Sequence, residues 1–198
     1  MKRIGITGPT GAGKTTALHA LTALGVHVID ADEVYHSLLA HSVPMKEALV
    51  GRFGPAILDT QGRIDRKALG SVVFADPDAL ADLNAITHRF IIEEIDRQAA
   101  QAEAKGRPAV AIDAIALIES GVGETCDVVV GILAPKEVRI RRIMAREGIS
   151  EDYARKRVEA QQGDDFFRAH CTHILENGEG SPDTFGARAL TLFQTLIR

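Results

Sequence analysis

The stretch GITGPTGAGKTT, residues 5–16, constrains the fold of this 198-residue chain more than any other part of it. Gly8, Gly13, Lys14 and Thr15 stand at the fixed positions of G-x-x-x-x-G-K-[ST]. Its flanks are the ones the pattern needs. The apolar run Arg3–Thr7 precedes it, and the helical pattern KTTALHALTAL follows and stops at Gly25. In that context the glycines let backbone N–H groups turn inward around a polyphosphate, and the helix N-terminus adds positive dipole. Lys14 then reaches the β- and γ-phosphates, and Thr15 offers its hydroxyl to Mg²⁺.

The rest of the chain repeats the alternation of strand and helix. Further strand candidates are Val26–Ile29, Ala109–Asp113, Asp127–Leu133 and Thr172–Leu175. They are short, rich in Val and Ile, and lack strict alternation, as expected of strands covered on both faces. Helical patterns fall between and after them. One starts at Pro77 and repeats Leu80, Leu83, Ile86 and Phe90. PKEVRIRRIMARE stops at Gly148, Ser150 caps SEDYARKRVEAQQ, and SPDTFGARALTLFQTLI closes the chain. This order predicts an α/β fold, a doubly wound, five-stranded parallel sheet with helices on both faces. Residues from about 35 to 105 carry no strong strand and read as a helical insertion in a single domain. Core segments are then about 1–34, 106–135 and 170–198, with a lid over about 136–165.

Composition narrows the classes. Hydrophobic residues make up 45% and charged residues 25%, an ordinary globular balance. No run of about 18 apolar residues occurs, so no membrane span is expected, and MKRIGIT enters a strand without a leader-like apolar region. Two cysteines, Cys126 and Cys171, at no metal-binding spacing fit a reducing cytoplasm. A net charge of −4 argues against a general nucleic-acid binder. The sequence leaves the oligomeric state open and is compatible with a monomer.

Two clusters give the phosphate loop chemical company. VHVIDADEVYH, residues 26–36, places Asp30, Asp32 and Glu33 just after a strand. In a parallel sheet ligands sit beyond the carboxyl ends of strands. Asp32 there is a candidate to take or align the proton of an acceptor hydroxyl. Asp30 is either a helix cap or a carboxylate holding Mg²⁺ through water. Asp113 ends a third strand and is either a cap or a metal-side carboxylate. Arg139, Arg142 and Arg146 recur at spacings of three and four, on one helix face. Cations brought by a helical lid suit a transferring phosphoryl group, and Arg142 and Arg146 are the candidates.

A phosphate loop alone names no reaction. The guanine-reading N-K-x-D is absent from the sequence, and a loop so near the start of a short chain leaves no room for a motor. A small-molecule kinase is the expectation. A nucleoside or nucleotide kinase, and a non-catalytic ATP-binding regulatory module, stand as alternatives.

Taken in order, these pieces resemble the dephospho-CoA kinase family over nearly the whole chain. The resemblance lies in GITGPTGAGKTT, LGVHVIDADEVYH, FGPAILDTQGRIDRKALGSVVFADP, LNAITH, RRIMARE, RVEAQQ and LEN. It implies a P-loop kinase fold with a helical substrate region and a lid. It implies transfer of phosphate from ATP, with Mg²⁺, to the ribose 3′-hydroxyl of dephospho-CoA. By the same resemblance Asp32 is the catalytic base, and Gly11, Ala12, Gly13, Lys14, Thr15 and Thr16 bind the ATP phosphates. Arg66, Leu69 and His88 fall on the acceptor side, Arg142 and Arg146 in the lid, and Asn177 near adenine. Three departures from the family pattern stand outside the loop and Asp32. Arg89 follows His88 in place of proline, AIALIE (with Ile115) replaces a Pro-Leu-Leu-Glu element, and HCTHILEN (with Thr172) lacks the usual Ala-Asp.

Overall fold

The computed structural model describes residues 1–178 and 180–198. In chain order its main elements are β1 (Lys2–Thr7), α1 (Lys14–Ala23), β2 (His27–Asp30), α2 (Ala31–His41), α3 (Val43–Phe53), α4 (Arg66–Val73) and α5 (Pro77–Ala104). There follow β3 (Ala109–Asp113), β4 (Val128–Leu133), α6 (Lys136–Glu147), α7 (Glu151–Glu159), α8 (Asp164–His170), β5 (His173–Glu176) and α9 (Pro182–Leu196). Each strand lies within one residue of its expected ends. The chain divides into two compact units, Met1–Ile29 with Ala99–Arg198, and Asp30–Gln98.

The first unit is built on a five-stranded, all-parallel sheet of order β2-β3-β1-β4-β5, flanked by helices. β1 is central: Ile4 stands opposite Ala111 on one side and Val128 on the other. Ile4, Ile6, Ala109, Ala111, Val130 and Ile132 are fully buried, and with Leu21 of α1 and Phe193 of α9 they form one core. Such runs of buried aliphatic residues are the signature of strands with no solvent face. Thr172 has a structural use at its unusual position: its hydroxyl donates to the Val129 carbonyl and accepts from the Val129 N–H, joining β4 to the start of β5. α6 and α7 have a small core of their own, Ile140, Ile143, Ala154 and Val158. Ser150 caps α7 by accepting from the Tyr153 N–H.

The second unit is helical apart from a single bridge between Leu58 and Ile64. Its core gathers Leu39, Met45, Leu49, Ile57, Leu69, Val73 and Phe90. α5 starts at Pro77 as expected and runs past the last apolar repeat at Phe90 to Ala104, because the alanine-rich AAQAEA has strong helix propensity, and Gly106 then turns the chain at φ 69°. Among the described residues no helix is long and apolar enough to cross a membrane.

Candidate active site

The loop between β1 and α1 closes as the glycine spacing requires. Gly8 has φ 139°, and a Cβ there would lie 2.2 Å from the Ile132 carbonyl oxygen, so no side chain fits. Gly13 caps α1 in the left-handed region, and a Cβ there would meet the Asn177 amide nitrogen at 2.1 Å. Ala12 is fully buried beneath the loop. Lys14 Nζ donates to the Gly8 carbonyl at 2.7 Å, which folds the ammonium over the loop instead of out into solvent.

A cavity of about 340 Å³ opens over this loop, lined by Gly11, Gly13, Lys14 and Thr15. Asp113, Arg142 and Arg146 line it too, as does Arg157, which the sequence reading assigned no role. Asp113 is placed by the sheet: it ends β3 opposite Ile6, and the buried Thr7 hydroxyl donates to the Ile115 carbonyl, fixing the turn that follows. One carboxylate oxygen of Asp113 is buried. A hydroxyl and one carboxylate beside a phosphate cradle fit a hard divalent cation that takes its other ligands from phosphate and water. Among the described residues no group of three or more His, Cys, Asp or Glu forms an all-protein metal cage.

The three arginines expected on one face of α6 part ways. Arg139 is 2% exposed and lies beneath the loop, with Nε donating to the Thr10 carbonyl at 2.9 Å and a terminal nitrogen donating to Gln161 Oε1 at 2.7 Å. Arg142 points its guanidinium at the carbonyls of Gly11 (3.3 Å), Ala12 (3.4 Å) and Asn177 (3.4 Å). Arg146 is exposed and pairs with Glu147 at 2.6 Å, and Arg157 pairs with the same carboxylate. These two guanidinium groups hold the Glu147 carboxyl below its usual range. Asn177, expected near adenine, has its side chain committed: Nδ2 donates to the Ala12 carbonyl at 2.8 Å, and Oδ1 accepts from Arg142 at 3.3 Å. It braces the loop from behind. Thr16, expected among the phosphate binders, occupies the first turn of α1 and is half-buried.

The remaining candidates belong to the second unit. Asp30 caps α2, its Oδ1 accepting from the N–H groups of Asp32 (2.9 Å) and Glu33 (3.0 Å). Asp32 lies in the first turn of α2, two residues after β2 ends. Arg66 opens α4, which Asp65 caps, and its positive charge acts on Tyr35, whose phenol is pushed upward mainly by burial. Leu69, expected on the acceptor side, is 3% exposed and its side chain packs into the core of this unit, seating α4. His88 is half-buried on α5, and burial lowers its pKa. Arg89, in the place of a family proline, pairs with Glu93 at 3.6 Å and lies over the Phe90 ring.

Comparison with known proteins gives this arrangement a family. The pattern of the family described as "Dephospho-CoA kinase" matches residues 2–183. A dephospho-CoA kinase of Symbiobacterium thermophilum is 39% identical over 183 residues, covering 92% of this chain and 76% of its own. The crystal structure of TT1252 from Thermus thermophilus superposes with a TM-score of 0.78 at 32% identity, covering 98% of this chain and 96% of that one. A dephospho-CoA kinase from Campylobacter jejuni superposes at 0.69 with 26% identity, covering 99% and 98%.

Proposed function

The chain belongs to the dephospho-CoA kinase family, and from that premise we propose that it transfers the γ-phosphoryl group of ATP to the ribose 3′-hydroxyl of dephospho-CoA, giving coenzyme A and ADP. The observation that carries the reading is the cavity over the loop, where Lys14, Arg142, Arg146 and Arg157 converge on a glycine-lined floor. Four cations around backbone amides suit a polyphosphate and little else.

In the proposed reaction the loop from Gly8 to Thr16 holds the ATP phosphates. Lys14 leaves the Gly8 carbonyl for the β- and γ-oxygens. Arg146 and Arg157 exchange Glu147 for the transferring group, whose negative charge spreads over its equatorial oxygens. Arg142 keeps the loop carbonyls covered and adds its charge to the cradle. Asp32 takes the proton from the attacking hydroxyl as the new P–O bond forms and the bond to the leaving ADP oxygen breaks. Its support is its place just beyond the carboxyl end of β2, together with the family pattern. Arg66 and His88 are assigned to the acceptor. The family's use of ATP calls for a divalent metal, which we take to be Mg²⁺. Thr15, with Asp113 through water, would hold it, since both line the cavity over the phosphate loop; Asp30 uses one carboxylate oxygen, Oδ1, as a cap. When bound, the ion neutralises the β,γ-phosphate oxygens. We place the reaction in the cytoplasm, in keeping with two unpaired cysteines at no metal-binding spacing.

An acceptor panel with radiolabelled ATP tests the proposal. Labelling of dephospho-CoA alone supports it. Labelling of nucleosides or nucleotides moves the chain to another kinase class, and ATP binding without a labelled acceptor makes it a nucleotide-gated module. Asp32→Asn keeps the shape but accepts no proton, and turnover should fall by roughly 10²-fold, with ATP affinity little changed. Parental turnover in that variant would remove Asp32 from the role.

A further inference from the structure

The turn of the phosphate loop is held by two side chains that the transfer reaction does not itself use. All three polar groups of Thr10 are engaged by residues far away in the chain. Its N–H donates to Gln161 Oε1 at 3.1 Å, its hydroxyl accepts from Gln161 Nε2 at 3.0 Å, and its carbonyl accepts from Arg139 Nε at 2.9 Å. The two braces are themselves joined, because Arg139 also donates to Gln161 Oε1 at 2.7 Å. Gln161 therefore uses both ends of its amide on one loop residue, and Arg139 is almost wholly buried in doing so.

The arrangement is more than is needed to fold α6 and α7. Those helices have an apolar core of their own, in Ile140, Ile143, Ala154 and Val158. A buried guanidinium is costly to place unless its hydrogen bonds are satisfied. Here they are satisfied by the phosphate loop and its brace. We propose that Gln161 and Arg139 are positioning residues for the nucleotide: they fix Thr10 and so keep the phosphate loop in its binding shape before ATP arrives. A preformed loop binds without first losing the freedom of several backbone torsions, whereas an unbraced one loses that freedom on binding. The effect should fall on ATP and ADP alike, because both present a diphosphate to the same amides. It should leave the acceptor almost untouched. The inference rests on the ATP-binding half of the reading above and does not need dephospho-CoA to be the acceptor.

The test is titration of the whole chain with a fluorescent ADP analogue and with ATP, without acceptor, for the parent, Gln161→Leu and Gln161→Glu. Leucine keeps the volume and loses every hydrogen bond. Glutamate keeps the acceptor for Thr10 N–H and Arg139, and the Thr10 hydroxyl turns to donate to it. Gln161→Leu should weaken both nucleotides by roughly tenfold, the loss expected for hydrogen bonds that involve a charged group. Gln161→Glu should recover most of that loss. In turnover assays the KM for ATP should rise in Gln161→Leu while the KM for the acceptor stays within about twofold. A folded Gln161→Leu chain with parental nucleotide affinity overturns the proposal, and so does a Gln161→Glu chain no better than leucine. If Gln161→Leu does not fold, hydrogen exchange of the parent decides. The Thr10 amide should be strongly protected without nucleotide, and rapid exchange there overturns the proposal.

Discussion

Gly13→Ala should damage the loop by an amount that can be built from its geometry. The residue sits at φ 104°, where an L side chain is strained by about 1–2 kcal/mol. The new methyl would also lie 2.1 Å from Asn177 Nδ2. That amide cannot simply move aside, because it is buried and donates to the Ala12 carbonyl at 2.8 Å. Displacing it leaves a buried donor and a loop carbonyl without their bond, a further cost of about 1–3 kcal/mol. The sum, about 2–5 kcal/mol, corresponds to a fall of roughly 4–20 °C in melting temperature for a chain of this size. Calorimetry without nucleotide measures it. Asn177→Ala removes the colliding atoms, so Gly13→Ala made in that background should cost only the backbone strain, about 1–2 kcal/mol. Strict additivity of the two substitutions, or an unchanged melting temperature in Gly13→Ala, would refute the packing described for the loop and Asn177.

Lys14→Ala should lower turnover by orders of magnitude with the fold intact, since a hydrogen bond such as that to the Gly8 carbonyl contributes only about 1 kcal/mol to stability; near-parental activity would remove Lys14 from the cradle. Arg142→Ala should lower both melting temperature and turnover, because it uncovers the loop carbonyls, whereas Arg146→Ala should lower kcat with stability changed by less than about 1 kcal/mol; equal melting losses would contradict the different surroundings of the two arginines. Asp30→Ala should destabilise the second unit by about 1 kcal/mol in urea melts while Asp30→Ser, still a cap, recovers most of it. Burial depresses the pKa of His88 below its ordinary 6.5, so the stability that the neutral ring contributes is present above pH 6.5 and lost as pH falls through the lower folded value. His88→Gln should flatten that part of the stability–pH curve, and an unchanged curve would show that other groups cause it.

Much of the sheet was legible because buried parallel strands announce themselves: VVVGIL and AVAID have no polar side to hide. Caps were legible for a similar local reason, as at Ser150 and Asp30, where one side chain serves amides two or three residues on. What the sequence could not offer was the partner of a buried polar group. Arg139 looked like one more surface arginine on the face of Arg142 and Arg146, yet it reaches Thr10, 129 residues away. Gln161 and Thr10 are 151 apart, and Asn177 and Ala12 are 165 apart. No periodicity encodes such pairings; only the sheet order brings those segments together. Leu69 shows a different limit: it sits in a motif expected on the acceptor side, and that motif position is also a core position, where its side chain packs in the second unit. Arg157 was visible in RVEAQQ without a role, because its place on the cavity depends on α7 turning back beside α6.

The most direct test of the proposed reaction is the position of the new phosphate on the product. Purified chain, Mg·ATP and dephospho-CoA are incubated together, and the product is examined by phosphorus–proton correlation NMR. The new phosphorus signal should couple to the ribose H3′ proton, with ADP formed in equal amount and the original diphosphate unchanged. Coupling to H2′, lengthening of the diphosphate chain, or ADP formation without a phosphorylated acceptor would contradict the assignment.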